Sequence, residues 1–319
     1  MPRIGLISNL RSQRNRRGLN AIHRVIAGAR DLIHVSTDAS EDLGEVLSEF
    51  ARQEVGLVVI NGGDGTVQAV LTRLFEDRPF ATTPDVAILA RGMANTTAID
   101  IGLRGRADAA LRRLLDARSD GTIERHLKER RVLRIENVPG RGPLRGLMFG
   151  AGAIQDAIDL CCREVYARGF KGRLGIGMTL AGVLLGALFT RDHHRVLRAH
   201  DIAVSLDGGA ESRTQRLLVL ATTLDRLILG SRPFWNCDHG PIRYTSIAYP
   251  PKDLLRSAPK VLYGWGRRPL RPDVYDSRAT GHIALRLDAP FTVDGEMVEP
   301  SPDQPVVITA ADRVRFVRL

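Results

Sequence analysis

Apolar positions in the first part of the chain fall into two alternating rhythms. Short unbroken runs at residues 3–8, 32–36, 55–60 and 86–89 have the length and polar borders of buried strands. Between them, residues 19–29 read as a helix, and Asp38-x-x-Glu41 resembles a capping box opening a second helix toward Arg52. After the third run, Val67, Val70, Leu71 and Leu74 recur on one helix face. Strand and helix in alternation predict a parallel sheet covered on both faces, with ligands at the carboxyl ends of its strands. The loops after Ser8, Ile60 and Leu89 should therefore meet in one crevice.

Beyond about residue 126 the rhythm shortens. Strands are predicted at 131–136, 144–149, 194–206, 217–222, 242–247 and 283–287, with 306–317 forming the end. Helices near 153–168 and 174–190 interrupt them. The predicted class is α/β plus β. A parallel α/β domain covers residues 1–126, and a mostly antiparallel β-domain with a helical insertion covers 127–304. The last stretch, about 305–319, packs back on the first domain. A length of 319 residues and 44% hydrophobic content suffice for two cores.

The net charge of +10 points to an anionic partner, either nucleic acid or an acidic membrane surface. Nearly all of it is arginine, the lysines being Lys128, Lys171, Lys252 and Lys260. Aromatics make up only 5%, and none interleave with basic residues as a base-stacking surface would. A membrane surface is the better partner, and nucleic acid is not expected. Residues 174–190 are uncharged and apolar, at the short end of the roughly 17–25 residues that span a bilayer. Glycines and threonines dilute that stretch, so it reads as a helix of a soluble domain, either core or lipid-facing wall, with a transmembrane span as the third alternative. Cys161, Cys162 and Cys237 lack the spacing of a disulfide framework or a zinc site. The N-terminus turns polar at once, with no signal peptide. A reducing cytoplasm fits these features.

The chemistry concentrates where the third strand ends, at Asn61-Gly62-Gly63-Asp64-Gly65-Thr66. Glycines let a backbone approach a ligand closely. Thr66 is a good N-cap, so a positive helix end and free N–H groups face the same turn, as phosphate binding requires. Asp64 would repel phosphate unless a cation or a reacting hydroxyl were present. The plain alternative is a tight turn with a capping aspartate. The first loop carries Asn9, Arg11, Ser12, Arg14, Arg16 and Arg17, able to clamp phosphates or to form a solvated basic turn. The third loop reads Ala90-Arg91-Gly92-Met93-Ala94-Asn95-Thr96. Near the end, Asp294-Gly295-Glu296 places two carboxylates around a glycine, which on residues alone is a β-turn.

These motifs, in this order, resemble the catalytic fold of the diacylglycerol kinase and sphingosine kinase family. They are more distantly similar to NAD kinases and phosphofructokinases. The resemblance implies an α/β nucleotide domain, then a β-sandwich lipid domain, with the cleft between them. It implies ATP as phosphate donor with Mg²⁺, and a bacterial, ceramide-kinase-like or diacylglycerol-type lipid kinase. Asn9, Arg11, Ser12, Asn61, Gly62, Gly63, Gly65, Thr66, Arg91, Gly92, Asn95 and Thr96 would hold the nucleotide, the γ-phosphate lying against the glycine amides. Asp64 and Glu296 would be the catalytic acids, either being the base. Asp238 and Asp294 are metal candidates. Asp238 belongs to Asp238-His239-Gly240, which has one residue more than the family's Asp-Gly pair. Met93 stands where the family has a hydroxyl, and Thr96 where most members have aspartate.

The implied function is transfer of a γ-phosphate to a primary hydroxyl of a membrane lipid. Diacylglycerol and a ceramide or sphingoid base are both open as acceptor. The enzyme would sit at the inner face of the cell membrane, on anionic lipid, and a homodimer is compatible. Two alternatives stay open: a soluble-acceptor kinase of the NAD-kinase type, and a catalytically weak, nucleotide-dependent lipid-binding regulator. Other chemistries find no support, since neither a G-x-x-x-x-G-K-[ST] loop nor a G-x-S-x-G elbow occurs.

Overall fold

The structure, a computed structural model, describes residues 3–29, 31–38, 42–92, 95–153, 198–237, 239–265 and 269–319. The chain divides into two compact units, one of Met1–Val132 with Asp312–Leu319 and one of Leu133–Ala311.

The first unit is built on strands β1 (Arg3–Asn9), β2 (Leu32–Thr37), β3 (Val55–Gly62), β4 (Asp85–Ala90), β5 (Leu127–Arg131) and the chain's last strand, β17 (Arg313–Val317). They lie in the order β2-β1-β3-β4-β17-β5. All neighbours are parallel except β17 and β5. Strands buried on both faces need apolar residues at every position, and β3 meets this with Leu57, Val58, Val59 and Ile60, each at most 1% exposed. One face packs Ile4, Leu6, Leu57, Val59 and Leu89 against helices α1 (Asn20–Ile26) and α5 (Ala107–Ser119). Helix α5 contributes Ala107, Ala110, Leu111 and Leu114, a helical stripe. Helices α2 (Leu43–Arg52) and α3 (Asp64–Glu76) bury Leu43, Leu47, Phe50, Val67, Val70, Leu71 and Leu74. Phe50 lies so close to β1 that a Cβ on Gly5 would meet its ring at 2.3 Å. Each such buried side chain contributes roughly 1.5–3 kcal/mol by leaving water.

The second unit holds β6 (Leu133–Glu136), β7 (Leu144–Gly146), β8 (Met148–Gly152), β9 (His200–Leu206), β10 (Ser212–Thr222) and β11 (Ile242–Ala248). Helix α6 (Leu254–Tyr263) follows, then β12 (Tyr275–Thr280), β13 (His282–Leu287), β14 (Phe291–Val293), β15 (Glu296–Val298) and β16 (Val306–Thr309). Every pairing is antiparallel, in the order β15-β14-β8-β10-β9-β13-β16-β6-β7, with β11 and β12 branching from β10. The long β10 is the branch point. Its first half pairs with β9, its second half with β8, and β11 runs along its other edge. Phe149, Tyr244, Ile283, Leu285, Phe291 and Ile308 fill the core that this branched sheet encloses.

An N-terminal parallel α/β unit followed by an antiparallel β unit is the expected class. Its seams differ in detail from the 126/127 and 304/305 boundaries. Residues 131–136 do not form one strand, because Leu127–Arg131 pairs with β17 while Leu133–Glu136 pairs with β16 and β7. Residues 306–317 divide likewise, Val306–Thr309 staying in the antiparallel sheet and Arg313–Val317 entering the parallel one. Where the chain leaves and returns, the Val132 N–H donates to the Asp312 carbonyl at 2.9 Å. The helical insertion, including Cys161, Cys162, Lys171 and residues 174–190, falls outside the described residues, as do Glu41, Met93 and Asp238.

Candidate active site

At the carboxyl ends of β1, β3 and β4 the three predicted loops do meet. Asn9 closes β1 and donates from Nδ2 to the Thr66 hydroxyl at 2.8 Å. Its Oδ1 accepts the Arg11 backbone N–H at 2.8 Å, turning the chain into the first loop. Asn15, 2% exposed, donates to the carbonyls of Asn9 and Asn61, both at 2.8 Å. Its own Oδ1 accepts Arg91 Nε at 2.7 Å. One buried amide thus ties all three loops together. Asn61 donates to Ser8 Oγ at 2.9 Å, while its Oδ1 is buried without a partner. Ser12 is also buried, with its backbone carbonyl accepting the N–H groups of Asn15 and Arg16.

The second and third loops touch through glycine. A Cβ on Gly92 would stand 2.7 Å from the Gly63 Cα, and one on Gly63 would stand 2.9 Å from the Gly92 Cα. No side chain fits at either position, which is the physical reason for glycine there. Asn95 takes a left-handed backbone with φ 51°, which asparagine tolerates, and folds over Gly92. It accepts the Gly92 N–H at 2.7 Å and returns a bond to the Gly92 carbonyl at 2.8 Å. The Gly92 amide is therefore engaged within its own loop, contrary to the expectation that it faces phosphate.

Asp64 is the first residue of α3, and Gly63, not Thr66, occupies the N-cap. Its two carboxylate oxygens accept the backbone N–H groups of Thr96 and Thr97, both at 3.0 Å. Those two amides open helix α4 (Thr96–Ile101), so Asp64 caps a neighbouring helix as well as starting its own. The residue keeps some surface, yet its carboxylate is enclosed. Burial pushes its pKa above the ordinary carboxylate value, and the amides of Thr97 and Thr96 hold part of that rise back. A buried carboxylate whose partners are neutral amides has the chemistry of a site that accepts a cation. Among the described residues, the Asp64 and Gly65 N–H groups have no protein acceptor, leaving the first turn of α3 open to an anion.

Beside this seam lies a crevice of about 160 Å³ lined by Arg14, Arg91, Arg106 and Asp108 with Ile22 and Ala107. Arg106 pairs with Asp108 at 3.2 Å. Burial, and after it the adjacent Arg14, lower the Arg91 pKa, while Asp108 holds part of that fall back. Arg11, Arg14 and Arg16 are exposed on the first loop.

Asp294 and Glu296 belong to the second unit. Asp294 sits in the β14–β15 turn with φ 49°, followed by Gly295 at φ 92°. Its carboxylate accepts the N–H groups of Leu147 at 3.0 Å and Met148 at 2.9 Å. It pins that hairpin to β8, so those oxygens already serve the fold. Glu296 is exposed at the start of β15, where its backbone pairs with Val293, and its side chain makes no hydrogen bond or ion pair among the described residues. No cluster of three potential metal ligands occurs among the described residues.

Residues 3–123 match the diacylglycerol kinase catalytic domain. That stretch of the α/β unit is similar to that family. No curated protein sequence matches the chain. Solved structures share the fold across both units. A provisionally named diacylglycerol kinase from Bacillus anthracis str. Sterne superposes with TM-score 0.68 at 17% identity, covering 100% of this chain and 97% of its own. A second structure so described from the same organism gives 0.67 at 18% identity, covering 99% and 97%.

Asn15, Ser8 and Thr97 are the participants that motif reading misses. Asn15 is hidden in a run of arginines, and its burial in a polar loop leaves no periodic signal.

Proposed function

We propose that this protein is an ATP-dependent lipid kinase, transferring the γ-phosphate to a primary hydroxyl of a membrane lipid, diacylglycerol or a ceramide or sphingoid base. The observation that carries this reading is the glycine seam. Gly63 and Gly92 bring two loops into backbone contact beside open amides on α3, and Arg14 and Arg91 line the crevice next to them, a setting suited to a polyphosphate. The similarity of residues 3–123 to the diacylglycerol kinase catalytic domain supports the kinase class.

In this reading Arg91 and Arg14 neutralise the phosphates, and the Asp64 and Gly65 amides orient them. Mg²⁺, carried in on the triphosphate, needs only one or two protein carboxylates, and Asp64 is the one at the turn. When bound, the ion would neutralise charge developing on the phosphoryl group. Either Asp64 or Glu296 would be the proton acceptor. It would take the lipid hydroxyl proton as the oxygen attacks the γ-phosphorus and ADP leaves. Most of the rate would come from positioning and charge neutralisation.

Incubation of the protein with labelled ATP, Mg²⁺ and a total lipid extract in detergent micelles tests this. A new labelled phospholipid is expected, and its mass identifies the acceptor. Label on soluble acceptors only would overturn the lipid assignment. One observation favours a second reading, the weak regulator: the Gly92, Thr96 and Thr97 amides are all satisfied internally. Tight ATP binding with no transfer to any lipid would select it.

A further inference from the structure

Helix α6 and Gly264–Trp265 after it bring basic and aromatic side chains together on one surface. Its inner side is anchored, with Val261 packed in a small core with Leu217, Ile247, Val274 and Tyr275, and Leu254 against it. The Tyr275 hydroxyl donates to the Lys252 carbonyl at 2.9 Å, fixing the entry to the helix. The outer side carries Arg256, which is exposed, and Lys260 one turn on, and Lys252 is exposed in the turn that precedes the helix. Tyr263 continues that face one turn on. Trp265 follows, 67% exposed and stacked on the Tyr263 ring at 4.8 Å and 25°. Only Leu10 and Met297 are other exposed large apolar side chains among the described residues.

A tryptophan left open to water forfeits the burial that large aromatics otherwise gain. Two stacked amphipathic rings beside three basic side chains match the layered chemistry of one surface, the headgroup zone of an anionic bilayer. There indole and phenol sit among the headgroups while lysine and arginine meet lipid phosphate. We propose that the outer face of α6, with Tyr263 and Trp265, is the site at which this protein docks on anionic membrane. Asp253, at the helix N-cap, and Asp273, paired with Arg271 at 2.8 Å and near enough to feel Lys252, are the acidic neighbours, and Lys252, Arg256, Lys260 and Arg271 outnumber them. The proposal deepens the lipid-kinase reading by naming a docking surface, yet its test needs no turnover.

The chain has two tryptophans, so Trp235→Phe leaves Trp265 as the sole indole reporter. Vesicles of mixed phosphatidylglycerol and phosphatidylcholine should shift Trp265 emission to the blue, and pure phosphatidylcholine should do so far less. Raising salt to 0.5 M should reverse the shift, because such attraction is screened within a Debye length of about 10 Å or less. In the native chain, Trp265→Ala should weaken sedimentation with anionic vesicles by about tenfold. Arg256→Ala should weaken it by about fivefold. If the lipid-kinase reading also holds, Trp265→Ala keeps activity on lipid in neutral micelles and loses it on vesicles. Emission already blue-shifted without lipid, a shift that tracks protein concentration alone, or equal binding of Trp265→Ala and native protein would each overturn the docking site. None of those results touches phosphate transfer in micelles.

Discussion

Two Asp-Gly pairs, one in each unit, use their aspartates alike and differ in what surrounds them. Asp64 and Asp294 each accept two consecutive backbone N–H groups at 2.9–3.0 Å. Asp294 lies in a hairpin, where the carboxylate fixes one turn to a neighbouring strand and Gly295 supplies the positive φ. Asp64 joins two helix starts, with glycine backbones in contact beside it and unpaired amides at its own turn. The same dipeptide can brace a sheet in one setting and border an anion site in another. A carboxylate's chemistry is set less by its motif than by which donors around it remain unused.

Glu296→Gln sharpens this contrast most. It should lower phosphate transfer by about 10²–10⁴-fold while leaving the thermal midpoint unchanged, because the side chain is exposed and unpaired. Unaltered turnover would assign the proton acceptor elsewhere. Asp64→Asn should cost both activity and roughly 1.5–3 kcal/mol of stability, since one amide would then face an NH₂ group. Asp294→Asn should cost similar stability, with transfer per folded molecule largely kept. Denaturant titration alongside a rate assay separates the two, and equal losses of activity would erase the proposed difference between them.

Glycine contacts give the next effect. Gly92→Ala should destabilise by about 1–3 kcal/mol, because its Cβ would stand 2.7 Å from Gly63. Gly142→Ala, with open space around the new atom, should stay within about 0.5 kcal/mol. Smallest is a pH effect at His34, whose Nε2 lies 2.9 Å from Ser8 Oγ. Burial, and then repulsion from His23, lower its pKa below 6.5. The unfolded chain therefore binds this proton more readily, so stability should fall as pH drops below about 6.5. A melting series from pH 7.5 to 5.5 should show a shallower decline in His34→Gln.

The parallel sheet was legible in the sequence because strands buried on both faces must be apolar throughout. Its loops were legible because glycine and asparagine mark tight approach. Val132 and residues 310–312 were not, since an apolar run looks the same whichever sheet it joins and partner choice is a long-range property. Helix α5 has its stripe at Ala107, Ala110, Leu111 and Leu114, but alanines make it faint among charged residues. In the candidate site, Gly63, Asp64 and Asn9 stand out by motif. Their hydrogen-bond partners do not, because the engagement of the Gly92 amide by Asn95 depends on a left-handed backbone that no residue pattern announces.

Strand β17 lies between β4 and β5, although its residues follow the whole second unit in the chain. On the ribosome, the glycine loops emerge early but the sheet beneath them stays one inner strand short until residues 313–317 appear. Until then the β4 edge is open to pairing with other chains. The nascent α/β unit thus depends on synthesis of the entire antiparallel unit before it can close.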